Sequence, residues 1–364
     1  MTTLYRFNPS REVDYIVWTK KPPADISTVS SYSEVLAATD RRDLTARNID
    51  PSDRTSAWIT GEKRMLATVS RLVEQRQEPY YKARMGACFG STGVFWLEIH
   101  SRQGPNRLLV RNVGGGKKRV KQITASLEDE LVYPLLRGRD LRRWAHGSPL
   151  GVLMPQDSSK RSLPMRVSEM KTDYPLTWRY LKQFESLLRG CGILQQFYDP
   201  RNDPFYALYN VGEYTYAPWK VLWRQVSNSL DTVVVGKQRV DSQSGPKPVI
   251  PDHSLCSISF MSAAEAHYVA ALLNSVISRY IVKNYCALHP SPHIMEYIPI
   301  QKFTSKEPLH ERLAKLSSEC HNMANKQNRE EVESLESKID VATAELWGIT
   351  LKELQQIQQA LKER

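Results

Sequence analysis

Apolar and polar positions recur along these 364 residues in two rhythms, one helical and one alternating. The helical rhythm is plainest after Pro308. Leu309, Leu313, Leu316, Cys320 and Met323 return at steps of three and four, and so do Val332, Leu335, Ile339, Ala342 and Leu346. Such spacing places each set on one helix face. We therefore expect two antiparallel helices with a turn near 325–329 that bury the two stripes against each other. Gly348 ends the second helix, and Thr350-Leu-Lys-Glu353 is a capping box opening a short last helix with Leu354, Ile357 and Leu361. Upstream, Asp173 to Arg189 carries Leu181, Phe184, Leu187 and Leu188 at helical spacing, and Gly190 is its stop. A second capping box, Ser262-Ala-Ala-Glu265, opens an apolar helix through Val269, Leu272, Leu273, Val276 and Ile281.

The alternating rhythm marks strands. Residues 219–226 and 232–240 are rich in Val and Trp, with basic residues between the apolar ones, and predict a strand pair. Its Trp and Val side chains are core; Lys220, Arg224, Lys237 and Arg239 are the expected exposed positions. A hairpin is predicted from 108–113 to 117–123, with Gly114-Gly-Gly116 supplying the positive φ of its turn. The second strand carries Lys117, Lys118, Arg119 and Lys121, too cationic for a core. It is an edge ribbon, suited either to a DNA backbone or to blocking edge-to-edge pairing. Together these elements predict an α+β protein: a mixed β-sheet domain with packed helices, followed by a helical hairpin.

Charge sharpens this picture. Fifty Lys and Arg against thirty-nine Asp and Glu give a formal charge of +11, which favours a polyanionic partner. No acidic residue occurs between Glu98 and Glu128. Just beyond, the segment 133–144 sets Arg137, Arg139, Arg142 and Arg143 around Gly138, behind an apolar run. Guanidinium is a planar, bidentate donor to phosphates and to guanine edges. The chain has no apolar run long enough to span a membrane, and its first residues lack the core of a signal peptide. Five scattered cysteines without a C-x-x-C pair point to a reduced, cytosolic protein.

Catalytic signals fail in context. Gly86-Ala-Cys-Phe-Gly-Ser-Thr-Gly93 has the glycines of an S-adenosylmethionine loop but lacks the hydrophobic strand such a loop follows. Asn202-Asp-Pro-Phe205 has aspartate where the Asn-Pro-Pro-Phe tetrad of amino-methyltransferases has proline. His289 and His293 are separated by prolines that forbid a helix aligning them, and no carboxylate or cysteine cluster supports them. No Walker loop, H-E-x-x-H or G-x-S-x-G is present.

Several segments then line up in order: residues 57–59, 93–97, 133–140, 204–210, 216–223, 250–252, 271–275 and 298–300. This order, with Leu-Leu-Arg-Gly-Arg-Asp at 135–140 and Leu-Leu-Asn-Ser at 272–275, resembles the carboxy-terminal target-recognition part of adenine-specific DNA methyltransferases of type IIG and BREX-like defence systems. The resemblance covers roughly residues 45 to 360, and the family's catalytic domain has no counterpart in it. It implies a non-catalytic specificity subunit that reads double-stranded DNA. Catalysis and S-adenosylmethionine would reside on an adenine methyltransferase partner in a hetero-oligomer, with no cofactor or metal on this chain. Lys117, Lys118, Arg119, Lys121, Arg142 and Arg143 would hold phosphates. Arg137, Arg139, Lys220 and Arg224 would approach base edges, with Lys237 and Arg239 alongside. The organisation expected is a docking segment over 1–60, a recognition domain over 61–303 and a helical docking module over 304–364. Two rivals remain: a divergent methyltransferase or nuclease in its own right, and a basic structural adaptor of a defence complex.

Overall fold

The computed structural model describes residues 12–22, 27, 31–50, 52–53, 55–75, 78–114, 120–157, 159–285 and 289–362. In chain order, β1 (Glu12–Lys20), α1 (Tyr32–Ala38), β2 (Thr39–Asn48) and β3 (Trp58–Gly61) lead into α2 (Lys63–Glu74). β1, β2 and β3 form a three-stranded antiparallel sheet with Glu12 opposite Arg47 and Asn48 opposite Trp58. Next come β4 (Arg84–Met85), α3 (Thr92–Phe95), β5 (Trp96–Arg102), β6 (Arg107–Asn112), β7 (Thr124–Glu128) and β8 (Val132–Leu136). β9 (Leu141–Arg142), β10 (Ala145–His146) and β11 (Leu150–Leu153) follow, then α4 (Val167–Asp173), α5 (Pro175–Lys182), α6 (Glu185–Arg189) and α7 (Gly192–Phe197). The remainder is β12 (Trp219–Arg224), β13 (Thr232–Val235), β14 (Ile250–Pro251), β15 (Leu255–Phe260), α8 (Ala263–Asn274) and α9 (Val276–Tyr285). The tail is α10 (Pro308–Asn325), α11 (Arg329–Leu346) and α12 (Leu351–Lys362). The protein is α+β.

Two sheets dominate. One has six strands in the order β14-β8-β11-β5-β6-β7, the other four in the order β13-β12-β15-β4. The predicted pairing of 219–226 with 232–240 is present as β12 and β13, with Val221 opposite Val234. The tail matches its heptad-like spacing, since Leu313, Leu316, Cys320, Leu335, Ile339 and Ala342 are all buried. Gly348 sits at φ +63°, and Thr350 and Glu353 exchange the two bonds of a capping box at 2.9 and 3.3 Å.

Three local readings are corrected. The strand pairing with β6 is Thr124–Glu128, later than 117–123. Buried Asn112 explains the shift: Nδ2 donates to Gly93 O (2.7 Å) and Lys121 O (2.9 Å), while Oδ1 accepts from Ile123 N (2.6 Å). Residues 121–123 are thus held by the Asn112 side chain as well as by its backbone N–H, which donates to Ile123 O at 3.3 Å. The helix expected over 173–189 is two short helices, α5 and α6, behind the end of α4, because Pro175 opens α5 and Phe184 leaves helical geometry at φ −111°, ψ 8°. The helix from 262 breaks at Ser275, which is extended at φ −58°, ψ 149°. Its predicted capping box is not made either. Glu265 instead accepts from the Tyr81 hydroxyl at 3.1 Å, and Ser262 makes no side-chain cap.

The break at Ser275 gives the Leu-Leu-Asn-Ser segment a structural meaning. Asn274 is buried and pairs both ways with the Thr232 backbone, accepting from its N–H at 2.8 Å and donating to its carbonyl at 3.0 Å. The freed N–H of Val276 is taken by Asp340 Oδ1 at 2.8 Å. Sheet, helix pair and tail are thus tied through one asparagine and one aspartate.

Apolar side chains gather in three cores. The largest joins α2, α8, α9 and the tail helices to one face of the four-stranded sheet, through Val221 and Trp223. A second fills the six-stranded sheet and α4–α6. A small third core, Leu136, Leu141, Leu222, Val233, Val235, Val249 and Leu255, lies on the other face of the four-stranded sheet.

Beside the first core, His321 Nε2 accepts from Val234 N (2.8 Å), Nδ1 faces Ser317 O (2.7 Å), and its ring meets that of His267 edge-on at 4.9 Å. Burial pushes these imidazoles down to about 3 and about 4 respectively. Both stay neutral in the folded chain, whereas in the unfolded chain they take protons near 6.5. The unfolded state therefore binds more protons as pH falls below 6.5, and stability is lost through that window. Asp340, raised by burial to about 6, acts oppositely below that pH. Thermal melts should show a net loss of about 2–3 kcal/mol between pH 7 and pH 5. His321→Gln should flatten the profile, and an unchanged slope would refute this assignment.

Candidate nucleic-acid interface

The arginine-rich segment is built as a joint between the three cores. Leu135 belongs to the six-stranded-sheet core, Leu136 and Leu141 to the small core, and Trp144 to the helical core. After β8 the chain turns through Gly138–Asp140, and Asp140 N donates back to Arg137 O at 2.9 Å. The Arg137 guanidinium grips Asp140 bidentately, at 2.7 and 2.8 Å, while its own backbone N–H donates to the same carboxylate at 2.9 Å. It also lies over the Trp96 ring, 5.6 Å from the centroid.

Outside residues fix the turn further. Gly138 N donates to Ser254 Oγ at 2.8 Å, and a Cβ at Gly138 would stand 2.9 Å from that oxygen, so a side chain there would have to displace the serine hydroxyl. Ser254 in turn donates to Asp252, whose carboxyl is raised from its ordinary value by burial. Arg224 Nε donates to Gly138 O at 2.8 Å, and its Nη2 donates to Leu141 O. At the far end Glu336 of α11 accepts from Arg143 Nη2 (2.7 Å) and from the Trp144 indole (2.5 Å). Trp144 is 1% exposed and sits at φ +64°, a region costly for a bulky side chain and held here by its surroundings.

The predicted cations therefore separate into classes. Arg139 and Arg142 are exposed, and neither enters an ion pair among the described residues. Lys121, Lys237 and Arg239 are also exposed; Arg239 Nη1 reaches Ser242 O at 3.4 Å. Arg137, Arg143 and Arg224 are spent on Asp140, Glu336 and main-chain carbonyls, so their guanidinium groups build the turn. Lys117, Lys118 and Arg119 lie outside the described residues.

Lys220 corrects an expectation. It is 1% exposed, because residues 220, 222 and 224 share the β12 face that carries Leu222 into the small core. Its Nζ donates to Ala217 O at 2.7 Å, and burial pushes the ammonium down to about 7. Charging it is thus unfavourable in the folded chain, most of all at pH 7 and below. Lys220→Met should raise stability by about 1–3 kcal/mol at pH 7. That advantage shrinks as pH rises and vanishes near 10.5, where the unfolded lysine also loses its proton. Urea titrations at pH 7 and pH 10 check this, and a destabilised variant at pH 7 would contradict it.

Of the segments that resembled catalytic loops, Gly86–Gly93 is packed into the fold, whereas 202–205 buries Phe205 and leaves Asn202 exposed. A Cβ at Gly86 would stand 2.1 Å from Asp252 O, and Ala87 N and Cys88 N donate to Pro251 O and Tyr209 O at 2.9 Å each. Asn202 Nδ2 donates to Asp199 at 2.6 Å, and Phe205 is buried with its ring 5.7 Å from that of Trp178. His293 pairs with Glu296 at 2.7 Å. Among the described residues no group of three or more His, Cys, Asp or Glu could hold a metal ion.

Sequence reasoning did not foresee Asp252, Ser254, Glu336 or the pairing of Arg161 and Arg84 with tyrosine faces, at 4.1 Å over Tyr216 and 4.6 Å over Tyr214. These partners lie tens to hundreds of positions away, and only Tyr214-Thr-Tyr216 carries a local signal.

Part of the chain is similar in sequence to a DNA-modification enzyme. The type II methyltransferase M.NspV of Nostoc sp. (strain ATCC 29411 / PCC 7524) is 33% identical over 107 residues, 29% of this chain and 20% of that protein. The chain thus matches one fifth of that relative's length. Among solved structures, the type IIL restriction-modification enzyme MmeI in complex with DNA superposes with a TM-score of 0.49 at 11% identity. That superposition covers 79% of this chain and 36% of MmeI. No protein-family model matches.

Proposed function

We propose that this chain reads duplex DNA sequence for an adenine-methylating restriction–modification system, with S-adenosylmethionine and catalysis supplied by a partner polypeptide. The observation that carries this reading is the immobilised turn. Asp140, Ser254, Arg224 and Glu336 hold the main chain and two guanidinium groups, and Arg139 and Arg142 remain exposed on that fixed frame. A main chain already fixed leaves only the two side chains to be ordered on binding, as a sequence-reading contact requires. The net charge of +11 and the partial likeness to a type II methyltransferase support the same reading.

In this account Arg139 and Arg142 meet base edges or the adjoining phosphates. Lys121, Lys237 and Arg239 fix register on the backbone, and the sequence assigns Lys117, Lys118 and Arg119 the same role. Residues 1–60 and the helices after 304 are the docking surfaces for the catalytic partner in a cytosolic hetero-oligomer. The partner flips an adenine into its own pocket, and this chain holds the deformed duplex.

Duplex binding followed by fluorescence anisotropy against salt tests the reading. Affinity should fall steeply with salt, and Arg142→Ala should lower the log–log slope by about one if it contacts a phosphate. Absence of salt-dependent duplex binding would sink it. Saturable binding of S-adenosylmethionine to the isolated chain, read by calorimetry, would overturn catalysis in trans.

A further inference from the structure

A cleft of about 570 Å³ opens between the two sheets, at the end of β8 and β12 remote from the arginine turn. Its size falls within the range of small-ligand pockets. β8 contributes Tyr133, the loop after β11 contributes Arg161, the turn before β12 contributes Glu213, Tyr214 and Tyr216, and Met261 follows β15 at the rim. Tyr133 and Tyr216 meet edge to face at 5.3 Å, and the Arg161 guanidinium lies over the Tyr216 ring at 4.1 Å. Met261 is 80% exposed, although its neighbour Phe260 is buried. The two strands that connect cleft and turn separate them by roughly 17 Å, at the rise of an antiparallel strand.

We infer that this cleft receives a single unstacked nucleobase, with guanine the best fit. Tyrosine rings and a guanidinium plane are the platforms on which unstacked bases lie. An exposed methionine at the mouth is suited to wedge between base steps and hold one open. Guanine presents two adjacent N–H donors that suit the Glu213 carboxylate at the rim. Adenine has no such pair of adjacent donors. The base comes either from a free nucleotide or from a duplex; only the second source rests on the DNA-reading role proposed above.

The test uses the full chain with ¹³C-methyl methionine, titrated with the four 5′-mononucleotides, whose shared phosphate leaves the base as the variable. The Met261 methyl signal should shift saturably, with GMP favoured over the others by roughly tenfold. Glu213→Gln, at an exposed position, should erase that preference, and Arg161→Ala should weaken all four. A duplex with a fluorescent guanine analogue at each guanine of a bound sequence then decides the source. Brightening at one position assigns the base to DNA; darkness at every position, with GMP still bound, assigns it to free nucleotide. If neither the mononucleotides nor the duplex move the Met261 signal, the inference is overturned. Duplex affinity measured on the same sample judges the DNA-reading role separately.

Discussion

Replacing Arg139 and Arg142 together by alanine is expected to lower affinity for the preferred duplex by about a hundredfold. Both side chains are exposed on a turn whose other arginines are already paired, so their removal leaves the frame intact. Circular dichroism and melting temperature should match the unaltered protein. The two single variants separate the roles. A phosphate contact weakens all sequences alike and reduces the salt slope, whereas a base contact relaxes preference at one position. Retention of full affinity and preference by the double variant would remove the turn from the interface.

Glu336→Ala is the expected large effect on stability, about 3 kcal/mol in urea unfolding. Its carboxylate serves both the Arg143 guanidinium and the Trp144 indole, with side-chain exposures of only 25% for Arg143 and 18% for Glu336. Deletion leaves a partly buried charge and an indole N–H without their acceptor. Glu336→Gln keeps one acceptor and should lose less than half as much. Because Glu336 belongs to α11, the alanine variant should also loosen the turn and weaken duplex binding, linking the tail to the reading surface. A cost below about 0.5 kcal/mol would show that Trp144 is held by packing alone.

What was legible in the sequence was local. The spacing of Leu313, Leu316, Leu335 and Ile339, and the capping box at Thr350, are decided within a few turns of chain, and the tail helices follow them. Valines 233 to 235 and Trp223 likewise announce their strands. Errors arose where a distant partner outcompeted a local signal. Glu265 left its capping box for Tyr81, Asn112 displaced the start of β7, and Asn274 broke a continuous apolar helix to pair with Thr232. The site was half legible for the same reason. Composition shows where arginines cluster but not which of them are consumed; Asp140 is three residues from Arg137, while Glu336 is 193 from Arg143. Lys220 misled because a basic residue between apolar ones reads as a solvent-facing position, whereas both faces of β12 are covered.

The specificity ratio tests the central claim most directly. Duplexes selected from a random library by the full chain, together with its methyltransferase partner, would be compared with scrambled duplexes of equal length at physiological salt. The account predicts one enriched short sequence, bound about 10³-fold or more tightly than the scrambled control, with the ratio collapsing in the Arg139→Ala, Arg142→Ala protein. Equal affinity for selected and scrambled duplexes would contradict it.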